Sequence, residues 1–245
     1  MKKYKIFLML IAIGFSSVSC EDYTDGINVD PNNFTSAPGN LIVGQAELVV
    51  VKLSSSNASR FSGMWTDQFT GTDRQYIAVD QYSTTAGDYD DEWTDLYSSG
   101  AAQARIAKAN GAEAGDALLE GVATTMEAIL MGEAAALWGD VPYRTAFDYT
   151  ENDDPTYDPQ AQVFSDVQAL LSQALALVGP DATVASVYGA PVFVGNDANW
   201  SEIIHSLKAR YFLITKEYQL AHSEALLGIS SADGDLLSSH SNANG

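Results

Sequence analysis

The sequence predicts an all-α protein, a stack of antiparallel helices carrying long decorated loops. Three observations lead there. Apolar residues recur at spacings of three and four through 116–138, 159–178 and 198–218, the period of a helix with one buried face. Gly139 with Pro142, and Gly179 with Pro180, close two of those runs where a helix must stop. Hydrophobic residues make up 46% and charged residues 18% of the 245, a globular balance with mass enough for a sizeable core.

The chain opens with Lys2, Lys3 and Lys5, then an unbroken apolar run from Ile6 to Phe15, then small residues up to Cys20. This is the layout of a secretory signal, and its apolar run is about half the roughly 20 residues a helix needs to cross a bilayer. No later stretch is expected to cross one. In a bacterial export signal, a Cys directly after a small residue is where lipid is attached, so residues 1–19 read as a lipoprotein signal and Cys20 as the lipidation site. Several acyl chains, at about 0.8 kcal/mol per buried CH₂, anchor a protein durably. Ser17 stands three before the Cys, where Leu is usual, and Glu21-Asp22 resembles the surface-export signal of Bacteroidetes lipoproteins. Residues 20–38, dense in Gly, Pro, Asn and Asp, read as an extended lead-in.

Residues 40–53 are apolar on nearly every face and predict a helix; Val49, Val50 and Val51 favour a strand, but the stretch is long for one. Residues 61–97 hold eight aromatics in 37 positions, about twice the 10% of the whole chain, and their Gly and polar residues predict much loop. A helix begins near Trp93 behind Asp88, Asp90, Asp91 and Glu92, which suit a helix N-terminus; it carries Ala101, Ala102, Ala104, Ala107 and Ala109, and Asn110-Gly111 is expected to end it. The next spans about 116–138, with Leu118, Val122, Met126, Ile129, Leu130 and Leu137 as its stripe. A polar linker, 148–154, leads to Asp158 as N-cap and Pro159 as first helical residue. Residues 181–197 read as a loop or short hairpin. The last clear helix begins after Asp197 or Asn199 and runs through Trp200, Ile203, Ile204, Leu207, Tyr211, Ile214 and Tyr218. Residues 228–245 are expected to be a disordered tail, leaving 39–227 as the helical domain. Starts near 93, 116, 159 and 198 share no fixed period, so paired helices are supported and an exact repeat array is not.

Charge and composition exclude several functions. Lys and Arg number 12 against 32 Asp and Glu, a net charge of −20, which repels phosphate backbones and argues against nucleic-acid binding. A single cysteine excludes a disulfide scaffold and a thiolate zinc cluster. His205, His222 and His240 are too scattered for a metal site, and the acidic run 88–95 lacks the alternating oxygens and central Gly of a calcium loop. No cofactor or metal is expected.

Three segments stand out in order: Ala136 to Tyr143 (ALWGDVPY), Tyr157-Asp158-Pro159-Gln160 before an amphipathic helix, and Gly195 to Trp200 (GNDANW) followed by Ser206 to Tyr211 (SLKARY). With the lipoprotein signal ahead of them, they resemble the SusD/RagB family of nutrient-binding outer-membrane lipoproteins; the run WTDQFTGTDRQY is similar to its SusD-like subgroup. The resemblance covers most of 20–222. It implies tetratricopeptide-like helix pairs, a SusC-type TonB-dependent transporter as partner, a position at the outer membrane, exposed at the cell surface, and an oligosaccharide or, in some members, a peptide as ligand. Family members continue well past residue 245, which implies a C-terminally truncated fragment.

Trp138 to Tyr143 reads as core and turn structure, and Trp200 as core. Lys208 and Arg210 are expected to pair with some of the many carboxylates. The aromatic loops of 61–97 are the best binding candidates: exposed rings stack on the C–H faces of sugars, while Asp, Asn, Gln and Arg bind the hydroxyls. Trp65, Asp67, Gln68, Asp73, Arg74, Gln75, Tyr76 and Tyr82 supply that mixture; Trp65 and Phe69, four apart, also fit a buried helix stripe. The leading function is a non-catalytic binding lipoprotein that passes a nutrient to a transporter. The alternatives are a helical adaptor without a ligand site and a glycosidase using two carboxylates, for which no nucleophile motif or phosphate loop appears.

Overall fold

The computed structural model describes residues 37–148, 154–184, 192–194 and 198–238. The signal segment, Cys20, Gly195 to Asp197 and His240 lie outside them.

Helix α1 (Gly39–Ser55) buries Val43, Ala46, Val49, Val50 and Leu53, so its valines pack as a helix face and the helical reading of 40–53 holds. The expected loop after it is largely short helices: α2 (Asn57–Trp65), α3 (Gln75–Asp80), a 3₁₀ turn at Ala86–Tyr89 and α4 (Asp90–Thr94). Elements of four to nine residues are too brief to impose a clear period on the sequence. Asp90, Asp91 and Glu92 form the first turn of α4, three residues ahead of the expected start at Trp93. The helix continues through a π-helical segment (Asp95–Ala101) into α5 (Ala102–Ala114).

Asn110-Gly111 does not end α5. The helix runs to Ala114 and Gly115 closes it at φ 69°. Gly111 serves packing instead: a Cβ there would lie 2.7 Å from the Glu120 amide nitrogen, on the helix that follows. That helix, α6 (Ala117–Trp138), is capped by Asp116, whose carboxylate accepts the Leu119 N–H at 3.0 Å. It is the centre of the fold, buried on all sides from Gly121 to Gly132, with α1 and α5 against it on one side and α7 and α8 on the other. Leu137, expected on its apolar stripe, is 49% exposed because the last turn leaves the core.

After α6, β1 (Val141–Pro142) pairs antiparallel with β2 (Tyr157–Asp158), Val141 opposite Asp158. Asp158 therefore does not cap the next helix. Its carboxylate accepts the Tyr143 and Arg144 N–H groups at 3.0 and 2.8 Å, Pro159 takes the cap position, and the first amide of α7 (Gln160–Val178) donates to Asp140 at 2.8 Å. Helix α7 is long and apolar enough to cross a membrane by length and composition, contrary to expectation. Its Val163, Phe164, Val167, Leu171, Ala174 and Val178 are buried against α6 and α8 while Ser165, Ser172 and Gln173 face outward, the pattern of an amphipathic core helix.

Residues 181–197 do not fold on themselves among the described positions. Thr183 bridges to Asn199, and β3 (Phe193–Val194) pairs with β4 (Leu237–Ser238) near the end of the described chain. The expected disordered tail is thus ordered over 228–238, where the 3₁₀ turn Ala232–Gly234 and β4 sit. Helix α8 (Trp200–Ile214) is capped by Asn199, which accepts the Ser201 N–H at 2.8 Å. It stops four residues before Tyr218: Lys216 adopts φ 66°, and α9 (Tyr218–Ala225) packs back on α8. His205 and His222 accordingly lie on different helices.

Most charged groups inside the body are paired. Glu127, wholly buried, receives Arg105 at 2.6 Å, Lys108, and the Tyr143 hydroxyl at 3.0 Å. Glu133 faces Arg210 at 2.8 Å, and Glu224 holds Lys208 and His205 at 2.7 and 2.6 Å, so Lys208 and Arg210 meet carboxylates as expected. The Tyr97 hydroxyl donates to the Pro142 carbonyl at 2.7 Å, and Trp138 stands edge-on to Trp93 with centroids 5.4 Å apart. Within the segment from Trp138 to Tyr143, Val141, Pro142 and Tyr143 are buried, as is Trp200.

Candidate functional site

Residues 57–89 form a small aromatic module beside this body. Its core is separate: Phe61, Met64 and Val79 are buried together, with Trp65, Tyr76 and Tyr89 packed around them. Phe61 meets Tyr89 edge-on at 5.8 Å and Trp65 at 6.1 Å, and Trp65 stacks on Tyr82 at 6.4 Å with 18° between the rings. Such ring pairs contribute beyond their buried area. The Trp65 indole N–H donates to the Val79 carbonyl at 3.0 Å and the Tyr82 hydroxyl to the Trp65 carbonyl at 3.4 Å, so α2 and the end of α3 are tied through these two rings.

The intervening loop is held by backbone contacts. The Gly71 N–H donates to Asp80 at 2.9 Å, and a Cβ at Gly71 would fall 2.0 Å from the Tyr76 carbonyl oxygen. Phe69 lies against Gly63, where a Cβ would come within 2.4 Å of its ring, yet Phe69 is 62% exposed. Trp65 and Phe69 are therefore no buried stripe: α2 ends at Trp65, which is half-buried, and Phe69 lies beyond it in the open.

Among the described residues, four non-glycines take a positive φ, and three of them are here: Asp67 (58°), Arg74 (52°) and Tyr82 (56°). Each such residue stores of order 1–3 kcal/mol of strain, which accumulates at ligand sites and switch regions. At the module's far end, the backbone N–H and hydroxyl of Thr85 both bond Asp88, at 2.6 and 2.9 Å, and hold its carboxyl below the usual carboxylate range.

Tyr76 lines a cup with Arg60, Met64, Phe69 and Thr70, about 290 Å³ in volume and mostly apolar in its walls. Of the residues predicted from sequence, Tyr76 alone lines it. Trp65 and Tyr82 form the stacked pair on the same small core. Asp67, Gln68, Asp73, Arg74 and Gln75 are exposed around it, with local bonds only: Gln68 to the Thr66 carbonyl, and Asp73 to the Arg74 amide and, at 3.8 Å, to its guanidinium. Arg60, Met64 and Thr70 were not predicted. Arg60 and Met64, four apart, would have pointed to one helix face had α2 been recognised upstream of Trp65.

Two cavities in the body offer less. One of about 350 Å³ contains Glu133 and Arg210, and one of about 340 Å³ contains Arg144 and Asp166. In both, the charged side chains already hold each other, Arg144 and Asp166 at 2.8 Å. No group of three His, Cys, Asp or Glu that could hold a metal occurs among the described residues.

A family model for SusD-like proteins, described as starch-binding and associating with the outer membrane, matches residues 31–233. The chain belongs to the SusD-like family. Solved structures share the fold of this SusD-like chain. A SusD/RagB family protein from Bacteroides thetaiotaomicron superposes with a TM-score of 0.66 at 20% identity, covering 82% of this chain and 45% of its own. A SusD-like protein from the same organism gives 0.57 at 17% identity, covering 78% and 42%. The helix pairs described above are thus the all-α, tetratricopeptide-like arrangement of these relatives, and the chain spans less than half of their length. No curated protein matches the sequence.

Proposed function

We propose that this SusD-like chain is a non-catalytic, lipid-anchored protein of the outer membrane, exposed at the cell surface. It captures an oligosaccharide on the aromatic module and passes it to a SusC-type TonB-dependent transporter. The observation that carries the ligand site is the exposed, pre-tied ring set: Tyr82 is 68% exposed and stacked on Trp65, Phe69 is 62% exposed, and Tyr76 lines the adjoining cup. Rings fixed in this way meet the apolar faces of a sugar without further ordering, while Asp67, Gln68, Asp73, Arg74 and Gln75 supply hydroxyl partners around them. Family membership, with its starch-binding and outer-membrane description, supports the class of function. Residues 1–19 as signal, Cys20 as lipid attachment and 20–38 as tether support the location.

Affinity electrophoresis against a panel of polysaccharides tests the reading. Retardation by at least one glycan, lost when Trp65, Phe69, Tyr76 and Tyr82 are replaced together by Ala, is expected; retardation unchanged by that replacement would place the site elsewhere. Labelled palmitate should enter the wild-type product and not the Cys20→Ala variant, and a TonB-dependent barrel should co-purify from membranes.

A further inference from the structure

The cup beside the stacked rings holds a cation with no carboxylate partner among the described residues. The chain has five arginines and 32 acidic residues. Arg74, Arg105, Arg144 and Arg210 each face a carboxylate. Arg60 faces none among the described residues. One of its guanidinium nitrogens donates to the Asn57 side-chain oxygen, one turn earlier on α2, and its guanidinium carbon lies 6.0 Å from the centre of the Tyr76 ring. The side chain is thus held at the rim of the cup, with N–H donors left over. Below it the walls are Met64, Phe69 and Tyr76, with Thr70 beside them.

We propose that this cup takes a saccharide ring bearing a carboxylate, a uronate, with the carboxylate on Arg60 and a C–H face against Phe69 and Tyr76. The proposal rests on the reading of the aromatic module as a saccharide site and names its substrate class. A volume near 290 Å³ lies at the low end of small-molecule sites, which suits one ring rather than a folded chain. A guanidinium matches a carboxylate in charge and in its forked donors. A neutral ring uses the walls and leaves the charge of Arg60 unanswered. The net charge of −20 repels any anion at long range, but salt screens that field beyond about 8 Å under physiological conditions. The short contact at Arg60 therefore decides between a charged and an uncharged ring.

Calorimetric titration with tri-galacturonic acid, its methyl ester and maltotriose tests this directly. The wild-type protein is expected to bind the acid at least tenfold tighter than the ester, which keeps the ring and removes the charge. Arg60→Gln should bring acid and ester to the same affinity, and Phe69→Ala should weaken both. Equal binding of acid and ester to the wild type, or a preference that survives Arg60→Gln, overturns the assignment. If maltotriose and the ester bind as well as the acid and Phe69→Ala weakens all three, the saccharide site stands and the uronate falls. Binding of none of the three in the titration, with no retardation on the polysaccharide panel, overturns both.

Discussion

The helical body and the aromatic module solve opposite problems with the same residue types. In the body, several tyrosines and the arginines are taken up by internal partners: Tyr143, Arg105 and Lys108 converge on the buried Glu127, and Tyr211 sits wholly buried against Phe164 and α6, its hydroxyl 3.3 Å from the Ile129 carbonyl. In the module, Tyr82 and Phe69 stand mostly in the open, Arg60 meets no acid among the described residues, and three residues accept left-handed backbone. Most buried polar groups in the body are satisfied, since leaving one unpaired costs about 1–3 kcal/mol; a Glu92 carboxylate oxygen, the Gln168 side-chain oxygen and the Trp200 indole N–H are left without a partner among the described residues. The open faces of the module's exposed rings gain nothing for folding and are free to be covered by something else. Stability is concentrated in one region and readiness to bind in the other.

The largest expected effect tests the body. Leu130 is wholly buried at the middle of α6, so Leu130→Ala should lower global stability by about 3–5 kcal/mol in denaturant unfolding. Saccharide affinity of the still-folded fraction should not change, because the module's small core does not include it. A matching loss of affinity would mean that the two regions fold as one cooperative unit.

Glu47 is an exception in the body, and it sharpens the comparison. It is 5% exposed on α1 and faces no cation among the described residues; burial raises its carboxyl from 4.5 to about 7, opposed by a hydrogen bond from the Val192 backbone. The folded state therefore keeps this proton over a pH range in which the unfolded chain has lost it. Stability should be full below pH 4.5 and decline as the pH rises toward 7. Glu47→Gln keeps the acceptor and removes the charge. It should leave stability unchanged at pH 4 and raise it by about 3 kcal/mol at pH 8, at 1.36 kcal/mol per unit of pKa difference. A variant equally stable at both pH values, relative to wild type, would show that Glu47 reaches water.

Much of the body was legible because its signals are long. The stripes of α6 and α7 repeat over 22 and 19 residues, and Gly139 and Gly179 mark their ends. The errors have local causes. Gly111 looks like a stop but is a crossing point, and the stop is Gly115. Asp158 looks like a cap but serves the chain reversal after Pro142, and Asp140 caps the helix from across β1 and β2. Tyr218 continues the period of α8, yet Lys216 turns the chain first. Residues that pair across the fold leave no trace in local spacing. The site was legible in its composition and not in its geometry: the aromatic density of 61–97 drew attention to Tyr76 and Tyr82, but Arg60 and Met64 needed α2 to be seen.

The module's independence can be probed at Phe61, 6% exposed and central to its three-residue core. Phe61→Ala should speed hydrogen exchange at the Val79 and Tyr82 amides by more than tenfold and abolish saccharide binding. Global unfolding of the body should shift by less than about 1 kcal/mol, since local openings report local contacts. A large global shift would merge the module with the body.

The smallest effect separates strain from contact at Tyr82. Its φ of 56° is a conformation that glycine adopts without cost and that disfavours other L-residues by about 1–2 kcal/mol. Tyr82→Ala removes the ring and keeps the strain, whereas Tyr82→Gly removes both. Gly should therefore be more stable than Ala by about 1 kcal/mol in urea unfolding monitored within the module, although glycine ordinarily costs more backbone entropy. Both variants should lose the stacked face over Trp65 and weaken saccharide binding alike. If Gly and Ala are equally stable, the backbone at 82 relaxes once the ring is gone, and the left-handed turn is held by the Trp65 stack rather than by the loop.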